Sequence, residues 1–223
     1  MKVGTDGILL GAWALAQIPT HILDIGTGTG LIALMMAQRF PSATVDAVEV
    51  EPVACQQASE NFANSPWASR LQAVCADISD WSQLPNHSGK YSLIVSNPPW
   101  FVDSLKPPLE SRALARHTPS LSSEDLISAV RRSITPGGNF CIILPAEQRD
   151  AFVGLASQGD LHCSRCCDVL PNTGKPARRV LLQFRPSPSS EFYERSVLIV
   201  ESEIRHQYSA EFMQLTRNFY LRF

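Results

Sequence analysis

Apolar positions along the chain fall into short runs with abrupt polar or glycine-rich ends, the pattern of buried strands alternating with helices. Residues 8–17 predict a short helix that Pro19 closes. His21-Ile22-Leu23-Asp24-Ile25 predicts a buried strand, stopped at once by Gly26-Thr27-Gly28-Thr29-Gly30 and followed by an apolar helical run over 31–37. Strand, glycine turn and helix in that order open a βαβ unit. Residues 44–50 predict a second strand with an acid at its end, and Pro52 suits the first turn of a helix continuing over 53–64. Residues 71–76 and 91–95 predict the third and fourth strands. The third stops at Asp77, and a polar connection covers 81–89.

The second half continues the alternation after a proline-rich stretch, 101–120, that has no clean period and predicts a long loop. Ser122-Ser123-Glu124-Asp125 places acids in the first turn of a helix running to about residue 134. Pro136-Gly137-Gly138 predicts a break before a strand at 139–144. A helix at 147–157 and strands at 161–170 and 178–184 follow, the strands separated by turn residues 171–176. Pro186-Ser187-Pro188-Ser189-Ser190 predicts a linker, then a β-branched strand at 196–200 and a short helix at 210–220. The expected architecture is α/β: a mostly parallel, doubly wound sheet of seven strands over residues 1–186. A small C-terminal strand–helix appendage, 187–223, packs on the same domain.

A length of 223 residues fits that single unit, and 44% hydrophobic with 18% charged residues is a globular balance. The net charge of −2 excludes an overall basic field, but its distribution is uneven. Residues 1–100 hold 4 Lys and Arg against 8 Asp and Glu, and residues 101–223 hold 15 against 13. An acidic first half and a mildly basic second half suit a nucleic-acid substrate. Cys163, Cys166 and Cys167 beside His162 have no matching second pair, so no closed zinc site is expected. Unpaired cysteine usage implies a reducing compartment, the cytoplasm. Residues 8–16 have the outline of a secretory signal, but Asp6 interrupts it and a strand follows closely. No run approaches the roughly 18–20 apolar residues of a membrane span.

Candidate chemistry gathers at strand ends, where ligands collect in doubly wound sheets. The Gly26–Gly28–Gly30 turn opens a helix, which lets backbone N–H groups approach a ligand. Its third glycine falls one residue early for the dinucleotide fingerprint, with Leu31 in that slot. Asp24, Glu49 and Asp77 end the first three strands, with Glu51 a near rival to Glu49. The fourth strand ends in Ser96-Asn97-Pro98-Pro99-Trp100. Two prolines stiffen this corner, and Pro98 keeps Asn97 out of the helical region. The Asn97 side-chain oxygen and the Pro98 carbonyl are two acceptors that suit one exocyclic amino group. Trp100 suits the face of the base bearing it, with a stacking value of about 1–3 kcal/mol, although a tryptophan closing the core is the plainer alternative. Such an amine is a poor nucleophile. Acceptors on both N–H groups hold it and strengthen as positive charge develops on nitrogen, so no tuned general base is required. Reaching it requires the base to leave its stack, and Lys106, Arg112, Arg116 and His117 are candidates to grip the flanking backbone.

The D-x-G-x-G-x-G turn resembles that of seven-stranded, Rossmann-like S-adenosylmethionine-dependent methyltransferases. The Asn-Pro-Pro-aromatic corner is similar to that of enzymes methylating amino or amide nitrogens. Over nearly its whole length the chain resembles the bacterial tRNA1(Val) (adenine(37)-N6)-methyltransferases. Lys2-Val3-Gly4-Thr5-Asp6-Gly7-Ile8-Leu9-Leu10-Gly11-Ala12-Trp13 carries that likeness. So do Asp46-Ala47-Val48-Glu49, Ser65-Pro66-Trp67, Ser96-Asn97-Pro98-Pro99 and Phe219-Tyr220-Leu221. The resemblance implies transfer of a methyl group to N6 of an adenine beside the anticodon, with tRNA as partner; a monomer is expected, although the sequence does not give the oligomeric state. It implies that Asp24, Gly26, Gly28 and Gly30 hold the methionine end of the cofactor, Glu49 its ribose and Asp77 its adenine. Thr5 and Asn97 are then beside the cofactor, and Asn97, Pro98 and Trp100 are catalytic. Members usually have Tyr where Trp100 stands. They also carry an aromatic and basic N-terminal extension ahead of the segment at which this sequence begins, for which a misassigned start codon and a truncation are the two expectations, and tRNA affinity turns on which holds. A protein glutamine N5-methyltransferase shares the Asn-Pro-Pro corner but normally has a separate helical N-terminal domain. A non-catalytic cofactor-binding module is the alternative of another class.

Overall fold

The structure, a computed structural model, describes residues 4–99, 121–186, 193–204 and 207–221. Its centre is β1 (His21–Ile25), whose last four residues are all buried, as expected of a parallel strand covered on both faces. β1 pairs in parallel with β2 (Thr44–Glu49) on one side and β4 (Tyr91–Ser96) on the other. β3 (Leu71–Cys75) lies outside β2, and β5 (Ile134–Pro145) outside β4, both parallel. Then β7 (Arg179–Arg185) runs antiparallel beside β5, and β6 (His162–Asn172) antiparallel beside β7. The segment expected as an appendage supplies β8 (Glu194–Glu201), which pairs in parallel with β6 as the eighth strand of the same sheet.

Alternation along the strands sends side chains to two cores. Ile22, Val45, Leu93, Val95 and Leu198 meet α1 (Thr5–Trp13), α2 (Leu31–Arg39), α3 (Pro52–Ala63) and α7 (Ala210–Thr216) on one face. Leu23, Ile94, Phe140, Leu182 and Phe184 meet α4 (Ile78–Trp81), α5 (Ser123–Ser133) and α6 (Arg149–Gln158) on the other. The same alternation separates the adjacent cysteines of β6, Cys166 into the second core and Cys167 into the first.

Two of the departures from the sequence pattern have a visible cause; α4, which the pattern does not announce, and α7, which ends at Thr216 rather than 220, are others. α1 begins three residues earlier and ends four earlier than its apolar run, because the Arg39 guanidinium closes it. Arg39 Nη1 donates to the carbonyls of Gly11 at 2.6 Å and Ala14 at 2.7 Å, satisfying helix-end acceptors. The expected break at Pro136-Gly137-Gly138 lies inside β5. Tyr91 pairs with Ile134 and Leu93 with Asn139, so the triplet is accommodated as an irregularity while the strand continues on either side.

Candidate active site

Parallel register brings four strand ends to one edge. Ile25 lies opposite Val48 on one side and Ser96 on the other, and Glu49 lies opposite Cys75. Gly26, Glu49, Asp77 and Asn97 therefore leave the sheet side by side, in the order Asp77, Glu49, Gly26, Asn97 across it. Ser96 Oγ donates to the Ile25 carbonyl at 2.9 Å, which holds the root of Asn97 beside the root of the glycine turn.

The turn itself needs its glycines. Gly26, Gly28 and Gly30 have φ of 68°, 59° and 88°, a region that costs other residues about 1–2 kcal/mol each. At Gly30 a Cβ would stand 2.4 Å from the Phe62 ring, so α2 and α3 close on it only as glycine. At Gly26 a Cβ would meet nothing within 4 Å, so that side of the turn is open. The N–H groups of Gly26 and Thr27 both donate to the Val48 carbonyl, at 2.9 and 3.1 Å, tying the turn to β2.

Asp24 sits under this turn, fully buried. Its Oδ2 accepts from Thr27 Oγ1 at 2.6 Å and from the Ala33 N–H at 3.1 Å, joining the turn to the first turn of α2. Its Oδ1 is buried with no hydrogen-bond partner among the described residues. Burial pushes the carboxyl up to about 7, opposed by the Thr27 and Ala33 bonds and aided by the charge of Glu49.

Glu49 and Glu51 are two residues apart and serve different ends. Glu49 Oε2 accepts from the Gly28 N–H at 2.8 Å and Oε1 from the Glu51 N–H at 3.0 Å, so its carboxylate lies against the glycine turn. Each oxygen keeps a lone pair for a further donor. Glu51 instead caps α3, accepting from Val53 N–H at 3.1 Å and Ala54 N–H at 2.6 Å. Between them Val50 is 42% exposed, an apolar side chain at the lip of the site. Its signal in the sequence is no more than an apolar residue set between two acids at a strand end. Asp77 caps α4 through one oxygen, with Oδ1 accepting from Ser79 N–H at 2.8 Å.

Thr5 is exposed at the start of α1, and the neighbouring Asp6 binds Arg179 Nε at 2.8 Å, which draws that helix end to the edge near β7. Asn97 is half-buried, Pro98 buried and Pro99 exposed. No side-chain hydrogen bond holds the Asn97 amide among the described residues. Trp100, Lys106, Arg112, Arg116 and His117 lie outside the described residues, as do Lys2 and the serines of the expected linker. Among the described residues, no group of three or more His, Cys, Asp or Glu could hold a metal, and no helix is long and apolar enough to cross a membrane.

Three carboxylates, an open glycine turn and an unpartnered buried oxygen are a fitting donor and acceptor set for a nucleoside-bearing cofactor with an ammonium group. Comparison with known proteins gives the family. The model of the methyltransferase small domain family matches residues 7–152. The tRNA1(Val) (adenine(37)-N6)-methyltransferase of Parabacteroides distasonis is 46% identical over 222 residues, covering 100% of this chain and 92% of that one. The enzyme of the same name from Bacteroides fragilis is 47% identical with the same coverage. Among solved structures, a predicted O-methyltransferase from Agrobacterium tumefaciens superposes with a TM-score of 0.75 at 18% identity, covering 96% of each chain, a likeness of fold. With a family model spanning most of the chain and relatives aligned along all of it, the chain belongs to the methyltransferase small domain family and, within it, to the tRNA1(Val) (adenine(37)-N6)-methyltransferases.

Proposed function

We propose that this chain transfers the methyl group of S-adenosylmethionine to the exocyclic N6 of adenine 37 in tRNA1(Val). The observation that carries this reading is the pairing of Ile25 with Ser96, which sets the Asn97-Pro98 corner directly beside the glycine turn. An electrophile held by the turn and an amine held by the corner are then neighbours, and such proximity is a large part of the rate.

The cofactor supplies the chemistry of a sulfonium-bound methyl group. The residues supply position and charge. The open side of the glycine turn, above Asp24, takes the methionine end. Glu49, already braced by two backbone N–H groups, offers its remaining lone pairs to two ribose hydroxyls. Asp77 offers the adenine amino group its Oδ2, since Oδ1 caps α4. Val50 adds an apolar wall for the purine. At the corner, Asn97 Oδ1 and the Pro98 carbonyl accept from the two N–H groups of the target amine. The Pro98 carbonyl is directed by a peptide unit whose nitrogen, that of Pro99, has no hydrogen. Both acceptors strengthen as nitrogen becomes positive, so they lower the barrier more than they tighten substrate binding. Trp100 stacks on the base. The methylated amine is acidic enough to release its proton without a dedicated base. The same reading places the work in the cytoplasm, where tRNA is modified.

The test is to incubate the protein with methyl-labelled cofactor and, separately, pools of tRNA, rRNA, DNA and protein, then map the labelled position. Label on N6 of adenine 37 of tRNA1(Val) is the expected result. Label on protein alone overturns the reading.

A further inference from the structure

We infer that Lys175 and Arg178, at the turn between β6 and β7, form a cationic ledge that takes the phosphate backbone of the tRNA beside the target adenine. This rests on the tRNA reading above and adds where the RNA lies. Topology places the ledge. β5 pairs Ile142 with Ser96 of β4 and continues to Pro145, which lies opposite Arg179 of β7. Arg179 thus stands two strands across from β4, about 10 Å, and about 10 Å further out along the strand direction. It stands two strands from the Asn97 corner, on the side away from the glycine turn.

The backbone of the ledge is fixed while its cationic heads are free. The Arg178 N–H donates to the Val169 carbonyl at 3.0 Å. The Arg178 carbonyl accepts from Ala146 N–H at 3.2 Å and from Arg179 Nη1 at 3.1 Å. Arg179 is in turn held by Asp6 at 2.8 Å. Gly174, with φ of 78°, closes the turn, and Lys175 N–H reaches the Asn172 carbonyl at 3.4 Å. Lys175 and Arg178 are exposed, and neither has an ion pair or side-chain hydrogen bond among the described residues. Mounted but unpaired cations suit a ligand that arrives with its own phosphates.

The charges nearby give the ledge its direction. Beyond β2 and β3 stand Glu49, Glu51, Asp77 and Asp80 with no Lys or Arg. Beyond β5 and β7 stand Arg149, Lys175, Arg178 and Arg179 against Asp6, Glu147 and Asp150. Asp6 is paired with Arg179, and Arg149 with Asp150 and Asp168, which leaves, among the described residues over β5 and β7, two unpaired cations beside one unpaired acid, Glu147. Glu201, opposite Asn172 of β6, and Glu203 are two further acids that bound the ledge on its β8 side. A polyanion crossing this edge is repelled over β2 and β3 and attracted over β5 and β7.

The double variant Lys175→Ala/Arg178→Ala tests this against the charge-keeping pair Lys175→Arg/Arg178→Lys, with tRNA KM, kcat, cofactor Kd and salt dependence measured for each. In the alanine variant KM for tRNA is expected to rise about tenfold, and the slope of log affinity against log salt to flatten by about 1.4–1.8, the share of two phosphate contacts. Its kcat and cofactor Kd stay at wild-type values, and the charge-keeping pair keeps wild-type KM. Wild-type methylation of tRNA together with an unchanged KM and salt slope in the alanine variant overturns the ledge and leaves the methyltransferase reading intact. A KM rise in the charge-keeping pair, or a weakened cofactor Kd in the alanine variant, also overturns it. A wild-type protein that methylates no RNA sinks the function and the ledge together.

Discussion

The carboxyl edge of the sheet is two regions with opposite designs. Over β1, β2 and β3 the charged groups are carboxylates, and three of them are immobilised by backbone N–H groups: Glu49 by Gly28 and Glu51, Glu51 by Val53 and Ala54, Asp77 by Ser79. Over β5 and β7 cations and carboxylates are mixed, and the two cations at the turn are mounted on a fixed backbone with heads unpaired among the described residues. The difference matches what each side handles. A small cofactor, cationic at sulfur and ammonium, needs acceptors already in place, since every group ordered on binding weakens it. A long polyanion needs attraction that tolerates small shifts of register. Asn97 stands on the border, an uncharged acceptor, so it can polarise an amine without extending the acidic field toward phosphate.

The sharpest way to break this division is at the border itself. Asn97→Ala removes an acceptor that matters most when charge develops, so turnover is expected to fall by about 10²–10³-fold. Cofactor affinity, measured by calorimetry, stays near wild type because the acid side is untouched. Wild-type turnover in this variant would leave the corner without a catalytic part.

Glu49→Ala is expected to act on the other quantity. Hydrogen bonds to a charged group are worth about 1.5–3 kcal/mol, so cofactor affinity falls by about 10–100-fold, while kcat at saturating cofactor falls much less. A variant that lost kcat with an unchanged cofactor Kd would place Glu49 with the corner rather than with the cofactor.

How far these regions are visible without coordinates depends on what kind of physics sets them. Period and turn chemistry mark the strands β1 to β4 and the glycine turn, because a strand buried on both faces admits few residue types besides apolar ones. Period is silent on Glu49 against Glu51, since both belong to one side of the alternation. The difference comes from Pro52, which starts α3 so that Glu51 is its cap. β5 is obscured because Pro136-Gly137-Gly138 carries turn composition, yet its neighbours pair with β4 on both sides of it. β8 shows its own pattern, whereas the partner it joins, β6, is a long-range choice that local pattern does not encode. Lys175 and Arg178 look like ordinary turn residues until the register of β7 against β5 puts them beside Asn97's strand end.

Asp24 decides how acidic the cofactor side really is. Burial raises its pKa from 3.8 to about 7 in the folded chain, so between those values the folded chain holds a proton that the unfolded chain has released. The folded state then binds more protons, and stability must fall as pH rises through this window and level off above it, by at most about 1.4 kcal/mol per pH unit for one proton. Asp24→Asn has no charge to bury and escapes that slope. Denaturant melts of both proteins from pH 4 to 8 are expected to show the wild type losing ground to the variant as pH rises to about 7. A gap that stays constant or narrows the other way would mean that Asp24 is ionised throughout and adds its charge to that side.

The smallest expected effect separates the two neighbouring acids. Glu51→Ala removes an N-cap whose two oxygens accept from Val53 and Ala54, a loss of about 1 kcal/mol in stability. Its backbone N–H, which braces Glu49, survives the substitution, so cofactor affinity is expected to stay within twofold of wild type. Chemical melts and cofactor titration on the same sample read the two quantities independently. If affinity fell as far as in Glu49→Ala while stability held, the ribose contact would belong to Glu51 and α3 would keep its start through Pro52 alone. The acid side would then owe its order to a helix end rather than to the glycine turn, and its contrast with the freely headed ledge would lose its physical basis.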